Sequence, residues 1–172
     1  MINEKFLLDT NSFMTPYHNY SPFDFAPAYW RQLKPLLKKE NISVMDVVRD
    51  EIIKGNDQLT DWITSIKDIN ILDRRDPKIL DGYRKVLGFI QASPLYNDKA
   101  LRAWSDVSIA DPWLIAAASA YNYIIITFEA GAGKINSKTP SGKPKIPDIA
   151  KEMGVQCENL FYFMRRAEIK FT

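Results

Sequence analysis

Residues 112–128 form the longest stretch of the chain without a charged side chain, and its two halves have different character. The first half, Pro112 through Tyr121, is apolar and alanine-rich, which predicts a helix. The second, Tyr123-Ile124-Ile125-Ile126-Thr127, is a β-branched run of the kind found in strands covered on both faces. A chain containing such a strand must supply helices to both sides of its sheet.

The remaining segments meet that demand. Lys5-Phe6-Leu7-Leu8-Asp9 reads as a short apolar strand ending on a carboxylate, and Ile42-Ser43-Val44-Met45 as a second strand. Asp46 is a suitable cap for a helix running through Lys54. Leu59, Trp62, Ile63 and Ile66 are spaced i, i+3, i+4, i+7, the stripe of an amphipathic helix. Ile79, Leu80, Tyr83, Val86, Leu87 and Ile90 repeat it over a longer span. Residues 17–30 are aromatic and turn-rich and lead into a helix ending near Lys39. A short helix is expected over 100–104, and two more over 147–153 and 160–166. Residues 130–145, with three Gly, two Pro and four Lys, form an extended and mobile basic loop. Strands alternating with helices predict one α/β domain over residues 1–172, a three-layer α/β/α sandwich with a mostly parallel central sheet.

Composition removes several classes of function. Lys+Arg 23 against Asp+Glu 21 leaves a net charge of +2, so the total charge announces no nucleic-acid binder. The single cysteine, Cys157, excludes an internal disulfide and a cysteine-cluster metal site, and the single histidine, His18, excludes a zinc site built on several imidazoles. No segment reads as a leader or a membrane span: residues 1–8 are too short and polar, and Ser119, Tyr121, Asn122 and Tyr123 interrupt the charge-free run. A cytoplasmic protein without membrane contact is the expectation.

The charge-free run has a carboxylate at each end, Asp111 and Glu129. A helix over 112–121 travels about 15 Å at roughly 1.5 Å per residue. A strand over 123–127 returns about 16 Å at roughly 3.3 Å per residue. Packed antiparallel, the two displacements cancel and leave Asp111 beside Glu129 at the carboxyl edge of the sheet. Open α/β folds bind their ligands at that edge. Asp9 ends the first strand and belongs to the same edge of a parallel sheet. Glu51, beside the apolar Val47, Val48 and Ile52, is a fourth candidate. Gathered carboxylates repel one another unless a cation intervenes, and a hard divalent ion such as Mg²⁺ or Mn²⁺ suits an all-oxygen donor set. Each acid also has a plainer role available: Asp111 as a helix cap before Pro112, Asp9 as a strand terminator, Glu51 as part of an exposed face with Asp46 and Asp50, Glu129 in a solvated loop, Asp148 at a helix start. Their convergence carries the functional reading.

Other motifs fail. Ala130-Gly131-Ala132-Gly133-Lys134 follows a strand, but a phosphate loop needs Gly where Phe128 stands and Ser or Thr where Ile135 stands. The dinucleotide pattern lacks its third Gly at Asn136. A phosphatase motif with Asp two positions after Asp9 meets Asn11 instead. Asn11 and Thr127 are expected as neutral hydrogen-bonding groups beside the acids. Lys134, Lys138, Lys143 and Lys145 are candidates for contacting backbone phosphates.

The residues resemble the PIN-domain family of metal-dependent ribonucleases, which includes the VapC-type toxins. Leu7-Leu8-Asp9-Thr10-Asn11-Ser12 is similar to the family's opening strand and acid. Val47-Val48-Arg49-Asp50-Glu51-Ile52 is similar to the helix carrying its Glu. Ala110-Asp111-Pro112-Trp113-Leu114-Ile115-Ala116-Ala117-Ala118 resembles its third acidic motif, and Ile125-Ile126-Thr127-Phe128-Glu129 its strand-end T-x-D motif with Glu in place of Asp. Tyr20-Ser21-Pro22-Phe23-Asp24-Phe25 and Lys145-Ile146-Pro147-Asp148 are similar to segments of an uncharacterised bacterial and archaeal branch of that family. The resemblance implies a PIN-like fold and Mg²⁺- or Mn²⁺-dependent hydrolysis of RNA by Asp9, Glu51, Asp111 and Glu129, with Asp148 as an auxiliary metal ligand that shares the fourth acidic role with Glu129 or takes it over. It further implies single-stranded RNA or a structured RNA such as tRNA as substrate. A small protein antitoxin inserting an Arg or acidic segment into the pocket, and a homodimer, follow from the same likeness. The longer Glu129 and the expanded loop leave room for a catalytically silent scaffold that binds RNA or a protein.

Overall fold

The computed structural model describes residues 3–171. Met1 and Ile2, the start of the segment weighed as a leader, and Thr172 lie outside the described residues. Five parallel strands build one sheet: β1 (Phe6–Leu8), β2 (Ile42–Met45), β3 (Ile71–Leu72), β4 (Ile124–Ile126) and β5 (Cys157–Glu158). They stand in the order β3-β2-β1-β4-β5. The chain therefore builds outward from β1 in one direction through β2 and β3, then crosses to build outward in the other through β4 and β5. The register pairs Leu8 with Val44 on one side and with Ile126 on the other.

Successive side chains on a strand point to opposite faces. Phe6, Leu7 and Leu8 are nevertheless all buried, as are Ile124, Ile125 and Ile126, so the sheet is covered by helices on both sides as expected. The helices are α1 (Asn11–Thr15), α2 (Pro27–Leu36), α3 (Asp46–Lys54), α4 (Gln58–Thr64), α5 (Pro77–Ala92), α6 (Asp98–Trp104), α7 (Ala110–Tyr121), α8 (Ile146–Glu152) and α9 (Leu160–Arg166). A π-helical turn, Pro16–Tyr20, continues α1. The buried side chains form one continuous cluster.

Helix α7 is the centre of one layer. It lies against β2 and β4 and carries α5 along its length. Two features let α5 come close. Tyr83 stacks flat on Trp113 with ring centroids 3.8 Å apart. A Cβ at Gly82 would stand 3.0 Å from the carbonyl oxygen of Ala116 and 3.1 Å from its Cα. Those atoms belong to a buried helix backbone, which yields less readily than a side chain. Gly82→Val is therefore expected to destabilise the protein by about 1–3 kcal/mol through overpacking, despite valine's better helix propensity; urea denaturation measures it. After α7 the chain reverses through Asn122, whose left-handed φ of 57° closes the helix before β4.

Several local readings are corrected. Asp46 is the first residue of α3 rather than its cap, which is Met45; its carboxylate is held by the side chain of Arg74 at 3.2 Å. Helix α7 starts at Ala110, with Ile109 as the cap, so Asp111 sits inside the first turn with no capping bond and Pro112 is the third helical residue, two positions later than expected. Helix α2 stops at Leu36 rather than near Lys39, and Ile66 lies beyond α4, although it is buried. The basic loop is fastened at its far end to the α5–α6 connection. The Ser141 N–H donates to the Leu95 carbonyl at 2.8 Å, and the Asn97 N–H to the Ser141 carbonyl at 3.1 Å. Among the described residues no helix is long and apolar enough to cross a membrane.

Candidate functional site

The direction of strand addition reverses between β1 and β4, and the carboxyl ends of these neighbours open a crevice. Asp9 and Thr127 follow the two strands at that point. The Asp9 N–H donates to the Ile126 carbonyl at 3.0 Å, which extends the ladder to the acid. The Thr127 hydroxyl donates to Asp9 Oδ2 at 2.8 Å, and the Thr10 N–H to Asp9 Oδ1 at 2.7 Å. Asn11 bridges the strands: its Nδ2 donates to Thr127 Oγ1 at 3.0 Å, and its Oδ1 accepts from the Phe128 N–H at 2.9 Å. The two neutral groups expected beside the acids thus lock Asp9 in one orientation.

Glu51 reaches the same place from α3, where it accepts a hydrogen bond from the Thr10 hydroxyl. Asp50, a third of a turn away, faces elsewhere and pairs with Arg74 at 3.0 Å. Asp111 enters from the first turn of α7. Glu129 follows β4; its Oε1 accepts from Lys145 Nζ at 3.0 Å and its Oε2 from the Ile146 N–H at 2.7 Å.

The electrostatics show that these four carboxylates share one field. Asp9 is 5% exposed, and burial, followed by the charges of Glu51 and Glu129, pushes its carboxyl up from 3.8 to about 6. Its bonds from Thr127 and Thr10 work in the opposite direction. Burial pushes Asp111 up to about 7, with Asp9, Glu129 and Glu51 adding repulsion and only Lys145 opposing it. At neutral pH the pocket holds more negative charge than its surroundings compensate, the condition a bound cation relieves.

Asp148 stands apart from this set. Its Oδ2 accepts from the Ala132 N–H at 2.8 Å, so it ties the loop after β4 to α8. Of the four lysines, Lys134, Lys138 and Lys143 are exposed on the loop, whereas Lys145 turns inward to Glu129. Among the described residues no three acid, histidine or cysteine side chains are gathered tightly enough to ligate one ion as they stand. The donor chemistry nonetheless fits a hard cation, because the convergent acids Asp9, Glu51, Asp111 and Glu129 offer only carboxylate oxygens.

Sequence reasoning missed two supporting residues. Thr10 holds Glu51, and the buried Ser12 donates to the Ile126 carbonyl at 2.8 Å, which fixes the start of α1 against the end of β4. Both lie within the segment singled out around Asp9, and their hydroxyls in a row of small polar residues were the available signal.

Residues 6–171 match a family described as Domain of unknown function (DUF4411). The chain belongs to that family. Curated proteins offer no match to the sequence. Solved structures do. The chain is similar to one in the DNA-bound VapBC structure from Salmonella typhimurium, with 14% identity, a TM-score of 0.53, and coverage of 91% of this chain and 98% of that one. It is also similar to a chain in VapBC2 from Rickettsia felis bound to a DNA fragment from its promoter, with 17% identity, a TM-score of 0.53, and coverage of 90% and 97%. At such identities the likeness concerns the fold, and this DUF4411 chain has the PIN-like architecture expected from its motifs.

Proposed function

We propose that this protein is a Mg²⁺- or Mn²⁺-dependent ribonuclease that hydrolyses RNA phosphodiester bonds at the crevice between β1 and β4. The observation that carries the reading is the arrival of Asp9, Glu51, Asp111 and Glu129 from four separate segments at the sheet's switch point, where their charges act on one another. Fold likeness to the VapBC chains supports it.

Asp9, fixed by Thr10, Thr127 and Asn11, and Asp111, which has no hydrogen-bond partner for its side chain among the described residues, would hold the cation, with Glu51 and Glu129 beside them. A bound divalent ion would supply an activated water and offset charge on the phosphate oxygens. Thr127 and Asn11 keep Asp9 aimed into the crevice. Lys145 holds Glu129, and Asp148 keeps the loop after β4 seated. Lys134, Lys138 and Lys143 are placed to meet backbone phosphates without reading sequence. Unpaired RNA is the substrate class, and a small protein that covers the pocket is the partner, by analogy with the VapBC assemblies.

The test is incubation of the protein with single-stranded RNA in Mn²⁺ and in EDTA. Cleavage in the first and none in the second is expected; the same products in both, or none in either, overturns the reading. A second reading, a silent scaffold of the same fold, draws on the engagement of both Glu129 oxygens by Lys145 and Ile146. Calorimetric binding of Mn²⁺ without turnover of any RNA favours it.

A further inference from the structure

A row of aromatic rings borders the acidic crevice. Phe128 follows Thr127 directly, and its ring lies 6.3 Å from that of Tyr20 and 6.2 Å, edge-on, from that of Phe161. The outer two are among the few large apolar side chains left open to solvent: Tyr20 is 63% exposed and Phe161 48%. They come from three distant segments, the π-helical turn after α1, the end of β4 and the start of α9. A cavity of about 510 Å³ lies beside the row and is lined by Phe128, Phe161, Thr127, Glu129, Cys157 and Glu158 among others. Sites for small organic ligands span about 300–1,000 Å³. Thr127 and Glu129 belong to the catalytic crevice as well, so cavity and crevice are continuous.

The lining selects the occupant. Two carboxylates, Glu129, which is paired with Lys145, and Glu158, face this space, and among the described residues no Lys or Arg lines it, so it offers a phosphate no cationic partner. Aromatic faces and carboxylate acceptors instead suit a flat, neutral group bearing N–H donors, which is the chemistry of a nucleobase. We propose that Tyr20, Phe128 and Phe161 form a stacking platform for unpaired bases of the RNA strand, with the base adjoining the scissile phosphate seated in the cavity against Phe128 and Phe161. This rests on the nuclease reading and adds the reason for a single-stranded substrate: a paired base has no free face to offer.

Binding of a fluorescein-labelled single-stranded RNA dodecamer, followed by anisotropy in EDTA at low salt, tests the platform without turnover. Phe161→Ala and Tyr20→Ala, both at exposed positions, are each expected to weaken binding about tenfold, and Phe161→Trp to retain it. The same RNA annealed to its complement is expected to bind weakly and to be indifferent to these changes. Equal affinity of wild type and both alanine variants for the single strand, or no binding by wild type, overturns the platform; the first result leaves the row to a protein partner. Cleavage in Mn²⁺ is read separately. Cleavage with unchanged affinities removes the platform alone, whereas aromatic-dependent binding without cleavage removes the nuclease reading and keeps the platform.

Discussion

Asp111→Asn is expected to make the metal-free protein more stable while reducing RNA cleavage by about a hundredfold or more. The two effects come from one cause. Asp111 carries a charge that burial disfavours and that Asp9, Glu129 and Glu51 repel, and no hydrogen bond enters the balance that sets its titration. Asparagine keeps the shape and deletes the charge. At pH 8 in EDTA the gain is on the order of 1–3 kcal/mol, discounted for the partial exposure of the side chain. A chain of this size converts each kcal/mol into about 2–4 °C of melting temperature. Asp9→Asn is expected to lose cleavage without that gain, because the asparagine amide cannot replace both acceptors used by Thr10 and Thr127. Thermal melts and a cleavage assay on the same preparations decide the matter. Unchanged cleavage in both variants refutes the site, and a less stable Asp111→Asn refutes the electrostatic account of it.

The second large effect is a fall in the stability of the metal-free protein as pH rises from about 4 to about 7. Unfolded, Asp9 and Asp111 titrate near 3.8; folded, they titrate near 6 and 7. Between these values the folded state binds more protons than the unfolded one, so unfolding free energy decreases with increasing pH. The stabilisation is fully present below the unfolded pKa and is gone above the folded ones. Its size is on the order of a few kcal/mol, and the two carboxyls titrate as a coupled pair. Most proteins gain stability as acids ionise, so the slope has the unusual sign. Saturating Mn²⁺ is expected to flatten it, since a cation lifts the penalty on the charged forms. Urea midpoints across this range, in EDTA and in Mn²⁺, provide the measurement. A rise in stability with pH in EDTA contradicts the described burial of the acids.

Much of this architecture was legible in the sequence because long periodic segments carry it. The apolar strands at 6–8, 42–45 and 124–126, and the helices α5 and α7, announce themselves through runs and spacing that no neighbour has to rescue. Strands β3 and β5 were invisible for the opposite reason. Each has two residues, too few for any period, and β5 includes Glu158. Only the finished edges of the sheet make them strands. Helix α1 and its π-turn were hidden by Pro16 and by aromatic residues that read as loop, although Phe13 and Pro16 are buried. The convergence of Asp9, Asp111 and Glu129 could be derived from matched helix and strand lengths. What could not be derived was which aromatic rings of 17–30 join the core. Tyr29 and Trp30 do, whereas Tyr20 and Phe25 stay outside, a division set by tertiary packing that spacing does not encode.

The position of β1 in the middle of the sheet has a consequence for how the protein comes into being. Asp9 is synthesised well before the groups around it: the Thr127 hydroxyl that orients it lies 118 residues later along the chain. A nascent chain that ends near residue 100 has Asp9 but neither β4, which pairs beside β1, nor the helix bearing Asp111. Contacts so distant along the polypeptide also close late in folding. Synthesis thus acts as a timer, and the four carboxylates meet only once residues 111–129 have been delivered.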